Sequence, residues 1–169
     1  HRTVRPGLSR VLIWNRSPAR AKALAESISV DAEIAANDDL DAALPHADVI
    51  SCVTMATEPI VRGALLKPGA HVDLIGAYQP QMRESDDATI RRAGRIFLDT
   101  RLFCERSGDI AEPLARGIVT REGLVADLFD LCCGRHEGRS SPAEITVYKN
   151  SGGGHLDLFS ARHLYARVM

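Results

Sequence analysis

The chain has 169 residues, 45% of them hydrophobic and 25% charged, which is enough apolar mass for a sizeable core and excludes a disordered or fibrous protein. Its 21 basic and 22 acidic side chains leave a formal net charge of −1, so no overall basic field draws it to nucleic acid or to an anionic membrane surface. The longest apolar stretches, such as residues 44–55, are broken by polar residues and fall short of the roughly 20 apolar residues of a membrane helix.

Residues 1–7 carry neither an initiator Met nor an apolar signal core, and the expectation is a chain that begins inside a longer protein. Val11-Leu12-Ile13-Trp14 is a short apolar run that predicts a buried strand. A helix follows: Ser17 suits the N-cap, Pro18 the first helical position, and Ala21, Leu24, Ala25 and Ile28 recur at helical spacing. Residues 33–36 supply a brief strand, and Asn37-Asp38-Asp39 opens a short helix through Leu40, Ala43 and Leu44. Residues 48–54 and 70–76 are β-branched, buried strands, separated by the turn signal Lys67-Pro68-Gly69. Residues 86–93 form a helix and 95–99 a strand; helical stretches are expected over residues 110–116 and 125–133. Residues 145–148 make a last strand, and a helix runs from His155 to the end. Short buried strands alternating with helices predict an α/β fold, a doubly wound, mostly parallel sheet.

The four cysteines, Cys52, Cys104 and the adjacent Cys132-Cys133, show no CxxC spacing, which argues against a disulfide framework or a zinc knuckle and fits a reducing cytoplasm. The adjacent pair is expected in the core. The six histidines have no ligand spacing, so no metal is expected.

In a doubly wound sheet, ligands bind beyond the carboxyl ends of the strands, which singles out Asn15-Arg16-Ser17, Thr54 to Thr57, Gly76-Ala77-Tyr78 and Asn150 to Gly154. The second strand of a dinucleotide-binding unit ends at the adenosine ribose, where a carboxylate suits NAD and a basic side chain the 2′-phosphate of NADP. Here Arg16 stands at that place, with the Ser17 hydroxyl beside it and Arg20 about one helical turn on, a set that favours NADP, with NAD as the alternative. Solvated arginines at a helix start explain the same residues equally well. No GxGxxG loop precedes this strand, so either the fold binds no dinucleotide or its first strand and glycine loop lie upstream. Gly152-Gly153-Gly154 follows the last strand and reads as a turn before a helix.

Trp14-Asn15-Arg16-Ser17, Ala47-Asp48-Val49-Ile50, Ala56-Thr57-Glu58-Pro59-Ile60, Lys67-Pro68-Gly69-Ala70-His71, Gly76-Ala77 with Pro80 and Arg83-Glu84, Ser107-Gly108-Asp109 and Thr146 to Gly152 occur in an order that resembles the ornithine cyclodeaminase and mu-crystallin family, its mu-crystallin side above all. The resemblance implies that residues 1–169 are an incomplete NAD(P)-binding Rossmann domain. A substrate and dimerisation domain, with the main catalytic groups, would lie upstream of His1, and the full-length protein would be a homodimer.

The resemblance also implies cofactor contacts. Asn15, Arg16, Ser17 and Arg20 would hold the adenosine 2′-phosphate; Thr54, Met55 and Ala56 would face the ribose and pyrophosphate; Ile75, Gly76 and Ala77 would lie under the nicotinamide; and Ser151 and Gly152 would close over it. Where the cyclodeaminases carry an Asp two residues before the proline and a Lys two residues after it, this chain has Tyr78 and Met82. A phenol is a poor base near neutral pH, so amine-expelling cyclisation is disfavoured. NADPH-dependent reduction of a cyclic imino acid, a ketimine, asks less of this loop: a hydride, and an acid such as Tyr78. Three readings follow: such a reductase acting on an imino or amino acid, a cyclodeaminase-like lyase using bound NAD, and a non-catalytic NADPH binder. Tyr78 reads first as an aromatic wall of the pocket without proton transfer, and Asp109 as a helix N-cap.

Overall fold

The computed structural model describes residue 1 and residues 3–169, which divide into two compact units, His1–His46 and Ala47–Met169.

In the first unit, β1 (Arg10–Ile13) alternates exposed Arg10 and Leu12 with half-buried Val11 and Ile13, the pattern of a strand with one covered face. It pairs in parallel with β2 (Glu33–Ala36), Val11 opposite Ile34 and Ile13 opposite Ala36. The crossover is α1 (Pro18–Ser27), opened by a proline whose fixed φ suits the first turn. Ser17 is the N-cap residue, yet its side chain makes no capping hydrogen bond. Asn15 folds back instead, its Oδ1 accepting from the Ser17 N–H at 2.8 Å, a local Asx turn that links strand to helix. Asp39 caps α2 (Leu40–Ala43), accepting from the Ala42 N–H.

The second unit is built on one parallel sheet of β3 (Val49–Cys52), β4 (His71–Leu74), β5 (Ile96–Leu98), β6 (Leu124–Asp127) and β7 (Thr146–Lys149), in the order β3-β4-β7-β5-β6. The last strand of the chain is therefore central: Val147 lies opposite Val72 on one side and Ile96 on the other. Successive residues of β4, β5 and β7 are buried on both faces, which is why these strands read as continuous apolar runs. At the edge, β3 alternates buried Ile50 and Cys52 with exposed Ser51. The connections carry α3 (Asp87–Ala93), α4 (Arg101–Cys104), α5 (Gly108–Ala115) and α6 (Leu128–Cys132), and α7 (Gly154–Val168) follows β7. Parallel strands joined by helical crossovers make this the expected doubly wound α/β, Rossmann-like architecture. No helix among the described residues is long and apolar enough to cross a membrane.

Three sequence expectations are corrected. Residues 125–133 are not one helix but β6 followed by α6. Asp127 and Asp130 close a capping box that fixes the helix start at Leu128, while Leu124 and Ala126 are buried in the sheet. Cys132 and Cys133 are exposed rather than in the core, because that short helix ends at the surface. Asp109 is not an N-cap: Ser107 holds that position, and Asp109 lies inside the first turn of α5, fully buried.

Candidate functional site

The carboxyl ends of β3 and β4 meet at Gly76. A Cβ there would lie 1.8 Å from the Thr54 carbonyl oxygen and 2.2 Å from its nitrogen, so only glycine lets the two post-strand loops cross at this separation. Both the Ile75 and Gly76 N–H groups reach back to the Cys52 carbonyl, at 2.8 and 3.3 Å, which carries the β3–β4 pairing beyond the strands proper.

Glu84 lies beneath this crossing with its side chain fully buried. Its Oε1 accepts from the Thr54 N–H at 2.6 Å and from the Thr54 hydroxyl at 2.8 Å. Its Oε2 accepts from the N–H groups of Gly76 at 2.9 Å and Ala77 at 3.3 Å. With four donors aimed at it, the group serves purely as an acceptor, the role of an ionised carboxylate. The backbone of Glu84 is held as firmly: its carbonyl accepts from Ile60 and Val61, both at 2.9 Å, and its N–H donates to Asp109 Oδ1 at 2.8 Å. Asp109 Oδ1 also accepts from the Ser85 N–H at 3.1 Å.

The other oxygen of Asp109 pairs with Lys149 Nζ at 3.3 Å, both side chains being fully buried. Lys149 closes β7, and its presence inside the protein follows from that strand's central place and from the carboxylates around it. Another buried carboxylate, Asp99, stands at the end of β5. Its Oδ2 accepts from the Ser151 N–H at 3.0 Å, and its Oδ1 accepts from the Thr100 N–H and from the Cys104 thiol, both at 2.6 Å. The loop after β7 is thereby anchored to β5, and the turn is completed at Gly152, whose φ of +74° suits glycine.

These charges mark the local field. Burial pushes the Cys52 thiol up from its ordinary range, and Glu84, Asp109 and Asp73 push it further while Lys149 opposes them. Burial, then the hydrogen bond to Asp99, raises the Cys104 thiol to about 11. Burial, then Asp99, also raises the Tyr148 phenol. With the carboxylates of Glu84, Asp99 and Asp109 set against the buried cation of Lys149, the ground beneath the strand ends disfavours an anion and suits a neutral or cationic ring.

The residues singled out from sequence fall into separate places. Asn15, Arg16 and Arg20 are exposed and Ser17 is half-buried at the end of β1 and the start of α1, within the first unit. In the second unit, Thr54, Met55 and Ala56 are brought against Ile75, Gly76 and Ala77, with Met55 72% exposed and Tyr78 52% exposed at the loop surfaces. Ser151 is held at the end of β5 by Asp99 and Cys104, and Gly152 donates its N–H to Asn150 Oδ1 at 2.7 Å within the loop after β7. Sequence reasoning gave no role to Glu84, Lys149 or Asp99. The available signal was a charged residue closing an apolar strand, as in Phe97-Leu98-Asp99 and Val147-Tyr148-Lys149.

The chain is similar to known proteins in sequence and in fold. The model of the ornithine cyclodeaminase/mu-crystallin family matches residues 2–169. The Delta(1)-pyrroline-2-carboxylate reductase of Paracoccus denitrificans is 45% identical over 168 residues, 98% of this chain and 52% of that protein. The ketimine reductase mu-crystallin of Mus musculus is 33% identical over 92% of this chain and 46% of its own length. The solved Delta(1)-pyrroline-2-carboxylate reductase of Thermococcus litoralis, in complex with NADH and L-proline, superimposes with a TM-score of 0.81 at 28% identity, over 85% of this chain and 45% of that one. The chain spans about half the length of the relatives it matches. A family match along nearly the whole sequence, on a parallel sheet of this order, identifies the chain as a member of the ornithine cyclodeaminase/mu-crystallin family.

Proposed function

We propose that this chain is the dinucleotide-binding part of an NADPH-dependent reductase of cyclic imino acids, with a ketimine such as pyrroline-2-carboxylate as substrate. The observation that carries the reading is the 45% identity with the Paracoccus denitrificans reductase along 98% of the chain. The residues present suit the cofactor. The exposed guanidinium groups of Arg16 and Arg20, with Ser17 between them, are donors for a 2′-phosphate, and the Asx turn at Asn15 holds their start in place. Gly76 lets the loops after β3 and β4 cross at the strand ends, and Gly152 gives the last loop its turn.

A bound reduced nicotinamide supplies the hydride for the imine carbon, and the imine nitrogen must carry a proton for that transfer. Tyr78, exposed on the loop after β4, is the donor this chain offers to that nitrogen. It stands where the cyclodeaminase pattern has a carboxylate, which weighs against a lyase. The family supports reading the full-length protein as a homodimer, and the cysteine spacing supports a reducing cytoplasm.

The test is a parallel titration of NADPH and NADH into the full-length protein containing this chain, wild type and Arg16→Ala, followed by energy transfer from Trp14 and by nicotinamide oxidation with pyrroline-2-carboxylate. We expect NADPH to bind at least about tenfold tighter than NADH, equivalent to about 1.4 kcal/mol, and the preference to vanish in Arg16→Ala. Equal or NADH-preferring binding would replace NADPH by NADH, a second reading favoured by the NADH complex of the Thermococcus litoralis enzyme. Tight binding without turnover on any cyclic imino acid would leave a binding protein.

A further inference from the structure

We propose that Glu84 is the positioning residue of the dinucleotide site, fixing the loops after β3 and β4 as one surface for the nicotinamide half of the cofactor; this rests on the dinucleotide reading above. The geometry that carries it is convergence. One buried carboxylate takes two donors from Thr54 and one each from Gly76 and Ala77, so two loops 22 residues apart in sequence share a single anchor. The loop after β3 is also fastened along its length to the segment around Glu84: Arg83 N–H donates to the Ala56 carbonyl at 2.7 Å, and Ile60 and Val61 donate to the Glu84 carbonyl.

Glu84 also decides which part of a dinucleotide this surface can take. The N–H groups of Thr54, Gly76 and Ala77 are the donors that would otherwise cradle a phosphate at the strand ends. All three are consumed by the carboxylate, and its negative charge repels an anion. What remains fits an uncharged or cationic ring and its ribose, with the phosphates held elsewhere. Asp109 fixes the Glu84 main chain, and Lys149 balances Asp109, so the anchor is itself anchored to the central strand.

Hydride transfer tolerates little misplacement of the reacting ring, and an error of about 1 Å costs on the order of a hundredfold in rate. A glutamine at position 84 has the size of the glutamate, but its Nε2 would point a donor at the donors of one loop. The experiment uses the full-length protein, wild type and Glu84→Gln, and compares two ligands: NADPH, and adenosine 2′,5′-bisphosphate, which lacks the nicotinamide half. For a protein that prefers NADH, the pair is NADH and AMP.

The expected result is NADPH affinity at least about tenfold weaker in Glu84→Gln, with the adenosine fragment bound within about twofold of wild type. A residue needed only for folding would lower the thermal midpoint and shift both ligands together or neither, and either pattern overturns the proposal. Should Glu84→Gln fail to fold, Thr54→Val, which deletes the hydroxyl that donates to Glu84 at 2.8 Å and accepts from the Ala56 N–H at 3.4 Å, replaces it. There a severalfold loss confined to NADPH supports the proposal, and unchanged NADPH binding overturns it. A wild-type protein that binds neither ligand would overturn the dinucleotide reading and Glu84 with it. Wild-type binding with indifferent variants would overturn Glu84 alone.

Discussion

The two units of this chain handle charge in opposite ways. In residues 1–46 the charged groups are at the surface: Arg10 and Glu33 pair at 3.1 Å with more than 60% of each side chain exposed, and Arg16 and Arg20 project from the start of α1. Among the described residues of that unit only Ala21 and Leu44 are buried apolar side chains, and its sheet has two strands. In residues 47–169 five parallel strands bury an apolar core, and Glu84, Asp99, Asp109 and Lys149 lie inside it at the strand ends. Exposed charges remain hydrated and can follow a ligand's phosphate. Buried charges are tolerated only where every contact is made, and so they hold geometry. Residues 1–46 thus keep their charge at the surface, and residues 47–169 use theirs to hold position.

The largest effect should come from breaking a buried pair. Lys149→Met leaves Asp109 buried without its cation and is expected to cost about 3–5 kcal/mol in urea unfolding of the full-length protein. Arg10→Met, which breaks an exposed pair in the other unit, should leave the midpoint unchanged. Equal losses in the two variants would erase the distinction between the units.

Hydrogen exchange should sharpen the contrast without mutation. A two-stranded parallel pair with little buried surface opens more readily than the centre of a five-stranded sheet, so the amides of β1 and β2 should exchange well before those of β4 and β7. Uniform protection across both pairs would refute this.

The smallest effect concerns acid. The Arg83 guanidinium hydrogen-bonded to Asp87 holds that carboxyl below its ordinary 3.8 in the folded protein, with Arg116 adding to the effect. The contribution to stability is complete above about pH 5 and is lost as pH falls through 3.8 toward the lower folded value. Asp87→Asn should therefore lower the thermal midpoint near pH 7, and its difference from wild type should shrink in acid. A difference that stays constant with pH would show that the ion pair contributes nothing.

Much of this architecture was legible in the chain itself. The apolar runs around Val11, Ile50, Val72, Ile96 and Val147 all proved to be strands; at Val72, Ile96 and Val147 burial on both faces writes itself into sequence as apolar continuity, whereas the run at Val11, expected to be buried, is covered on one face only. Pro18 and the cap at Asp39 marked helix starts for equally local reasons. The misreading of residues 125–133 is instructive: Leu124 to Asp127 is too short to carry a period, and the strand exists because β5 pairs with it. The candidate site divided along the same line. Gly76 and Ser151 could be picked out as small residues after strands, but Glu84 lies in a connecting loop with no periodic pattern.

Apart from β6, the sequence by itself determined the main strands and helices, the doubly wound class and the family, since these depend on local propensity, hydrophobic spacing and short motifs. Only the tertiary structure decided that the last strand enters between β4 and β5, which carries Lys149 into the interior opposite Asp109. Only the tertiary structure, too, gathered Thr54, Gly76 and Ala77 around one carboxylate. Such convergence depends on pairings between residues far apart in the chain. Each such residue resembles an ordinary polar side chain until folding removes its water and leaves it only those partners.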